Sequence, residues 1–192
     1  MQTLPRVSGY TLIELMLTIT ILAIVAAVAT PPMADFISRY QTETAGRQLF
    51  ELINFSRGKA YSHGQVYTLC PSADGQSCSS DWSSGALLFV DSNGDGQRAA
   101  AEKIERIMPK MATGATLEWR SFNSKKYLQF RPNGLTLSQN GNFAYCPPSQ
   151  QAEKGWIIVI NATGRPYFGK DSDSDGIVES GSGKNLTCTN AD

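Results

Sequence analysis

Gly9-Tyr10-Thr11-Leu12-Ile13-Glu14-Leu15 opens the stretch that decides what kind of chain this is. Residues 12–29 are apolar apart from Glu14 and two threonines, and Pro31-Pro32 follow. With the flanking threonines this makes about 20 residues, roughly 30 Å as a helix, enough to span the hydrocarbon core of a bilayer. Glu14 is the exception. A carboxylate in a spanning segment costs about 2.5–3.5 kcal/mol at the bilayer centre and less near the interface, and it marks a functional position.

The competing reading of the same stretch is a cleaved secretory signal. Arg6 would be its basic region, residues 19–28 its apolar core and Ala27-Val28-Ala29 its cleavage site. Glu14 inside the apolar run argues against it, and so does the sequence beyond the prolines. Met33, Phe36, Ile37, Tyr40, Leu49, Phe50, Ile53 and Ala60 recur at three- and four-residue steps, apart from a polar gap over residues 42–46. A helical pattern therefore resumes past the supposed cut and is expected to end near residues 61–64. Pro31 and Pro32 lack an N–H and clash with the preceding turn, which predicts a kink there.

After Gly64 the period shortens. Strands are expected over residues 65–70, 85–91, 103–108, 115–120, 126–131, 142–146 and 156–161, separated by Gly, Pro, Asn and Asp. One long helix followed by strands predicts an α+β fold, with an antiparallel sheet packed on the second half of the helix. The tail from Gly169, rich in Asp, Ser and Gly, reads as extended loop.

Lys+Arg and Asp+Glu are both 17, so no net charge draws the chain to nucleic acid or to an anionic surface. The four cysteines, Cys70, Cys78, Cys146 and Cys188, make no C-x-x-C spacing, and one histidine, His63, does not complete a metal quartet. Behind a membrane-targeting segment an even count reads as disulfides formed outside the cytosol. Sequence order favours Cys70–Cys78 and Cys146–Cys188 among the three pairings, contributing about 2.5 and about 4 kcal/mol in the chain-entropy model.

Two resemblances follow from these residues. Gly9 to Leu15, behind a short basic leader and ahead of the apolar run, resembles the class III prepilin signal. That resemblance implies cleavage after Gly9 by a prepilin peptidase, N-methylation of Tyr10 and retention of the apolar segment; Tyr10 stands where the family usually has Phe. It also implies that Glu14, in a low-dielectric environment, pairs with a neighbouring subunit's new amino terminus. The alternative role is local, a carboxylate favouring its own helix N-terminus.

The second resemblance runs through Ser56-Arg57-Gly58-Lys59-Ala60, Leu69-Cys70-Pro71-Ser72, Asp74-Gly75, Cys78, Trp82, Gly85, Phe89 and Asp91. It continues in Phe130-Arg131-Pro132-Asn133-Gly134 and Ala162-Thr163-Gly164-Arg165. Their spacing is similar to that of the H-type pseudopilins and the FimT–FimU minor pilins. The implied organisation is a leader over residues 1–9, a transmembrane and assembly helix over 10–32, its amphipathic continuation over 33–64, and a periplasmic or extracellular β-rich domain over 65–192. The implied partners are the inner membrane, prepilin peptidase, other minor pilins, and the major pilin or pseudopilins. The expected function is a structural minor pilin that initiates or caps a type IV pilus; the alternative is the H-type pseudopilin of a type II secretion system, and a further one is a DNA-binding minor pilin for natural transformation.

Four motifs bear on chemistry. Asp91-Ser92-Asn93-Gly94-Asp95-Gly96 with Glu102 matches the EF-hand calcium-loop template, so Asp91, Asn93, Asp95 and Glu102 are candidate ligands, although a strand precedes them and a polar hairpin turn suits the same residues. Asp171, Asp173, Asp175 and Glu179 form a weaker version, with Ser182 at the twelfth position. No cofactor is required by either reading, and calcium is the one these loops would take. In DNA-uptake relatives a G-R-x-R motif is implicated in binding. Here Tyr167 replaces its second arginine, only Arg165 carries over, and the aspartates nearby repel phosphate, so DNA is not an expected partner. For catalysis His63 has no evident Ser or Asp partners, and Gly181-Ser182-Gly183-Lys184-Asn185 lacks the spacing of a P-loop. No enzyme is expected.

Overall fold

The computed structural model describes residues 9–136 and 139–188, without the side chains of residues 28–32 and 34. The expected leader therefore lies almost wholly outside the described residues, as do the side chains of Pro31 and Pro32 on which the kink was predicted. The chain divides into two compact units, Met1–Arg39 and Tyr40–Asp192.

One helix, α1, runs over Leu12–His63, and its assignment is unbroken through Pro31-Pro32. In the first unit its apolar side chains are open: Leu12, Ile13, Leu17, Leu22 and Ile24 are each more than half exposed. Among the described residues no helix is long and apolar enough to cross a membrane. The expected span, residues 12–29, runs into side chains that are not described.

The second unit holds eight strands. They are β1 (Tyr67–Pro71), β2 (Ala86–Val90), β3 (Ile104–Met108), β4 (Thr116–Ser121), β5 (Leu128–Phe130), β6 (Gly141–Cys146), β7 (Trp156–Ile160) and β8 (Pro166–Phe168). Seven coincide with the expected strands. β8 was not expected, since it is three residues long and starts at a proline, a residue confined to strand edges and starts. The strands form two antiparallel four-stranded sheets, β3-β2-β1-β5 and β4-β6-β7-β8, where one sheet was expected. The split arises from pairings between strands distant in sequence, β1 with β5 and β4 with β6.

Alternation along the strands builds the core. Tyr67, Leu69 and Leu88 of the first sheet, and Phe143, Tyr145 and Ile158 of the second, share one cluster with Leu49, Ile53 and Ala60 of α1. Each such side chain contributes about 1.5–3 kcal/mol when fully buried. The opposite faces are covered too. Leu87, Phe89 and Cys70 lie under Tyr127 and Cys78, and Ala144, Ile157 and Val159 lie under Leu186, Ile177 and Val178 of the tail. Burial on both faces explains why β2 and β7 read as unbroken apolar runs.

The polar gap in the helix also has a cause. The Trp156 indole donates from Nε1 to the Thr42 carbonyl at 2.9 Å, and a Cβ on Gly46 would sit 3.1 Å from the same ring. A side chain from β7 therefore occupies the space that an apolar helix residue would otherwise fill.

Candidate functional site

At its start α1 carries a reciprocal cap. The Glu14 N–H reaches Thr11 Oγ1 at 3.3 Å, while Glu14 Oε2 accepts from the Thr11 N–H at 2.9 Å and from Thr11 Oγ1 at 2.8 Å. This is the capping box that Thr-x-x-Glu predicts, so the local role of Glu14 is realised within the single chain. Among the described residues nothing bonds Oε1, and Tyr10 beside it is 91 % exposed.

The two Asp-Gly loops fold alike. In the first, Asp91 accepts from the N–H groups of Gly94 (2.7 Å) and Gly96 (3.0 Å), and Asp95 accepts from that of Gln97 (2.7 Å). In the second, Asp171 accepts from Ser174 (2.7 Å) and Gly176 (2.9 Å), and Asp175 from Ile177 (2.8 Å). A glutamate closes each loop on its second residue: Glu102 accepts from the Ser92 N–H and Glu179 from the Ser172 N–H, both at 2.8 Å.

Their surroundings differ. Asp91 is wholly buried and also accepts from Thr68 Oγ1 on β1 (2.6 Å) and from Gln129 Nε2 on β5 (2.8 Å). Glu102 takes a further N–H, from Ala99 at 2.9 Å, and Asp95 accepts from Asn93 Nδ2 at 2.8 Å. These carboxylates are committed to protein donors. Asp171, Asp173 and Glu179 also accept from N–H groups of their own loop, and one oxygen from each lies within 4.8 Å of the others. Among the described residues it is the only such group of His, Cys, Asp or Glu. In the first loop the carboxylates are tied to neighbouring strands and to their own loop, and in the second three of them lie close together.

Cys70 pairs with Cys78 and Cys146 with Cys188, and no free cysteine remains. The first bridge closes a loop in which Asp74 accepts from the N–H groups of Gln76 and Ser77 and from the Ser77 hydroxyl, each at 2.8 Å. Those bonds, the Ser77 N–H foremost, hold the Asp74 carboxyl far below the usual carboxylate range. The second bridge pins the tail over β6 and β7.

Three of the motif segments converge. Arg57 Nε on α1 donates to the Gly134 carbonyl at 3.1 Å, and Gly164, at φ +74°, packs so closely that a Cβ there would lie 2.7 Å from the Gly134 carbonyl oxygen. The Ser-Arg, Phe-Arg-Pro-Asn-Gly and Thr-Gly-Arg segments are one structural junction. Arg165 is exposed beside it, its N–H held by Asn161 Oδ1 at 2.9 Å. Arg120, Lys125 and Lys126 line one groove of about 610 Å³, Arg120 and Tyr167 a second of about 560 Å³, Tyr167 and Lys170 a third, and Arg165 none of the three.

Two protein-family models match the chain: type II transport protein GspH over residues 45–164, and the prokaryotic N-terminal methylation motif over residues 4–30. No protein of curated function matches it in sequence. Among solved structures it is similar to the type IV minor pilin FimU of Pseudomonas aeruginosa, with a TM-score of 0.57 and 20 % identity over 80 % of this chain and 99 % of that one. It is also similar to the minor pseudopilin EpsH from the type 2 secretion system of Vibrio cholerae, with a TM-score of 0.49 and 10 % identity over 67 % of this chain and 95 % of that one. The likeness to FimU shows a shared fold.

Proposed function

From the premise that this chain belongs to the type II transport protein GspH family, we propose that it is a minor pilin that initiates or caps a type IV pilus. The single observation that carries the proposal is the union, in one chain, of the methylation motif over residues 4–30 with the GspH match over residues 45–164. A subunit of this family with that motif is a minor pilin or a pseudopilin, and the motif implies an anchor in the inner membrane with the second unit in the periplasm.

In this reading a prepilin peptidase cuts after Gly9 and methylates Tyr10. Glu14 becomes the fifth residue of the mature chain, and its unused oxygen accepts the amino terminus of the adjacent subunit. Attraction between the two is strong where water is excluded, which fixes the axial register of one subunit against the next. The exposed apolar side chains from Leu12 to Ile24 are then covered first by lipid and later by neighbouring helices. Asp171, Asp173 and Glu179 serve as a calcium loop that steadies the tail.

The test is the amount of major pilin sheared from the surface of a strain lacking this gene, beside a complemented strain. A sharp fall restored by complementation is the expected result. Unchanged piliation overturns the pilus role and moves the subunit to the second reading, the H-type pseudopilin of a secretion machine.

A further inference from the structure

The tail covers only part of the outer face of the second sheet. Ala144 and Ile157, opposite one another on β6 and β7, lie under Leu186. The next row runs out from under the tail. Arg120 is opposite Asn142, Asn142 opposite Val159, and Val159 opposite Tyr167, so β4, β6, β7 and β8 each give one side chain to this row. Pairing continues one step further, since the Phe122 N–H donates to the Asn140 carbonyl at 2.9 Å and the Asn161 N–H to the Arg165 carbonyl at 3.3 Å. Alternation puts Phe122, Asn140 and Asn161 on the same face as the row before them. With Gly181 and Ser182 of the tail, these residues line a groove of about 560 Å³. A Cβ on Gly181 would lie 3.0 Å from Val159 Cγ1, so the bare glycine lets the tail pass close over the sheet.

The chemistry of the lining is unusual for an open face. Phe122 is 76 % exposed and Tyr167 46 %, and among the described residues neither ring meets another ring or a cation. Between them stand three amides. Nothing described bonds the side chains of Asn140 and Asn142, and Asn161 uses only its Oδ1, which accepts from the Thr163 and Arg165 N–H groups and the Thr163 hydroxyl. Arg120 is the one charged residue of the lining, and Glu118 already pairs with it at 2.6 Å. The groove therefore offers flat apolar faces and amides that both donate and accept, with its single charge matched. A polyanion gains little there, because its affinity comes from uncompensated lysines and arginines.

We propose that this groove binds a neutral carbohydrate chain. A sugar ring has an apolar C–H face, which stacks on the electron-rich face of an aromatic ring, and a rim of hydroxyls that each donate and accept. Phe122 and Tyr167 are the stacking platforms, and Asn140, Asn142 and Asn161 take the hydroxyls. The platforms belong to the β4 and β8 sides of the sheet, three strand spacings or about 14 Å apart. A single sugar does not reach both. The ligand is thus an oligomer laid across the strands, with one ring near each aromatic side chain. The site belongs to the second unit alone and stands apart from which machine the subunit serves.

The test is titration calorimetry of the full chain, held in a detergent without a sugar headgroup, with cellohexaose, maltohexaose and chitohexaose as probes. Saturable binding of at least one is expected, little changed by salt. Phe122→Ala and Tyr167→Ala each weaken it by about fivefold, the loss of one stacked ring, whereas Tyr167→Phe keeps the ring and keeps the affinity. Both side chains are exposed, so unchanged melting temperatures confirm that the variants are folded. Failure of all three probes to bind at millimolar concentration overturns the proposal. So does binding that is indifferent to both alanine substitutions. A single-stranded DNA oligomer that displaces the sugar, with an affinity falling steeply as salt rises, also overturns it by making the groove a polyanion site.

Discussion

The two ends of α1 are built from the same kinds of residue and end in opposite environments. Leu49 and Ile53 are fully covered by the two sheets, whereas Leu12 and Ile13 are about three-quarters exposed in the single chain. Helical periodicity says which residues share a face; it does not say what covers that face. In the second half the cover comes from the chain itself, and the apolar positions are one-sided. The first half is apolar all round, the pattern of a helix covered by something other than its own domain.

This contrast can be broken most directly by placing one charge at each end. Ile53→Asp buries an unpaired carboxylate among Leu49, Tyr67 and Phe130 and is expected to cost more than about 5 kcal/mol, unfolding the domain in a urea titration. Ile19→Asp is expected to leave that titration unchanged while reducing recovery of the chain in the membrane fraction. Equal loss of domain stability from both substitutions would mean that the first half is part of the same core.

The disulfides sharpen the contrast within the second unit. Replacing Cys146 and Cys188 together by Ser releases the tail from β6 and β7 and is expected to cost about 4 kcal/mol, against about 2.5 kcal/mol for Cys70 and Cys78, both read from denaturant midpoints. A reversed order would show that the tail adds little to the cover of its sheet.

Much of this was legible in the sequence. The helix end, seven of the eight strands and both cysteine pairs follow from period, turn residues and sequence order. What was hidden depends on distant partners. Two sheets rather than one requires knowing that β4 leaves β3 for β6. The polar gap over residues 42–46 makes sense only once Trp156 is seen against Thr42 and Gly46. The surroundings of the two Asp-Gly loops were hidden for the same reason: the template counts ligand positions along the chain, while Thr68 and Gln129 reach Asp91 from other strands.

Two smaller effects test that loop comparison. Saturating calcium is expected to raise the melting temperature by a few degrees, since a ligand bound only by the folded state adds RT ln(1 + [L]/Kd) to its stability. Asp171→Asn removes the shift, and Asp95→Asn leaves it. A shift that follows Asp95 instead would make the first loop the cation site.

Asp74 gives the smallest effect. Its carboxyl is held below its ordinary value of 3.8, so it favours the folded state above that pH, and its contribution is lost as pH falls toward the depressed folded value. Asp74→Asn is therefore expected to lower melting temperature slightly at neutral pH, with the difference from the parent chain shrinking in acid.

The apolar stretch after Gly9 is proposed to stay on the mature chain as an assembly helix. Its most direct test is the mass and sequence of the amino-terminal peptide from the mature chain in its own cell envelope. A chain beginning at Tyr10 with one methyl group on its amino nitrogen is expected. A mature chain beginning at Thr30, after cleavage behind Ala27-Val28-Ala29, or one still carrying residues 1–9, would contradict it.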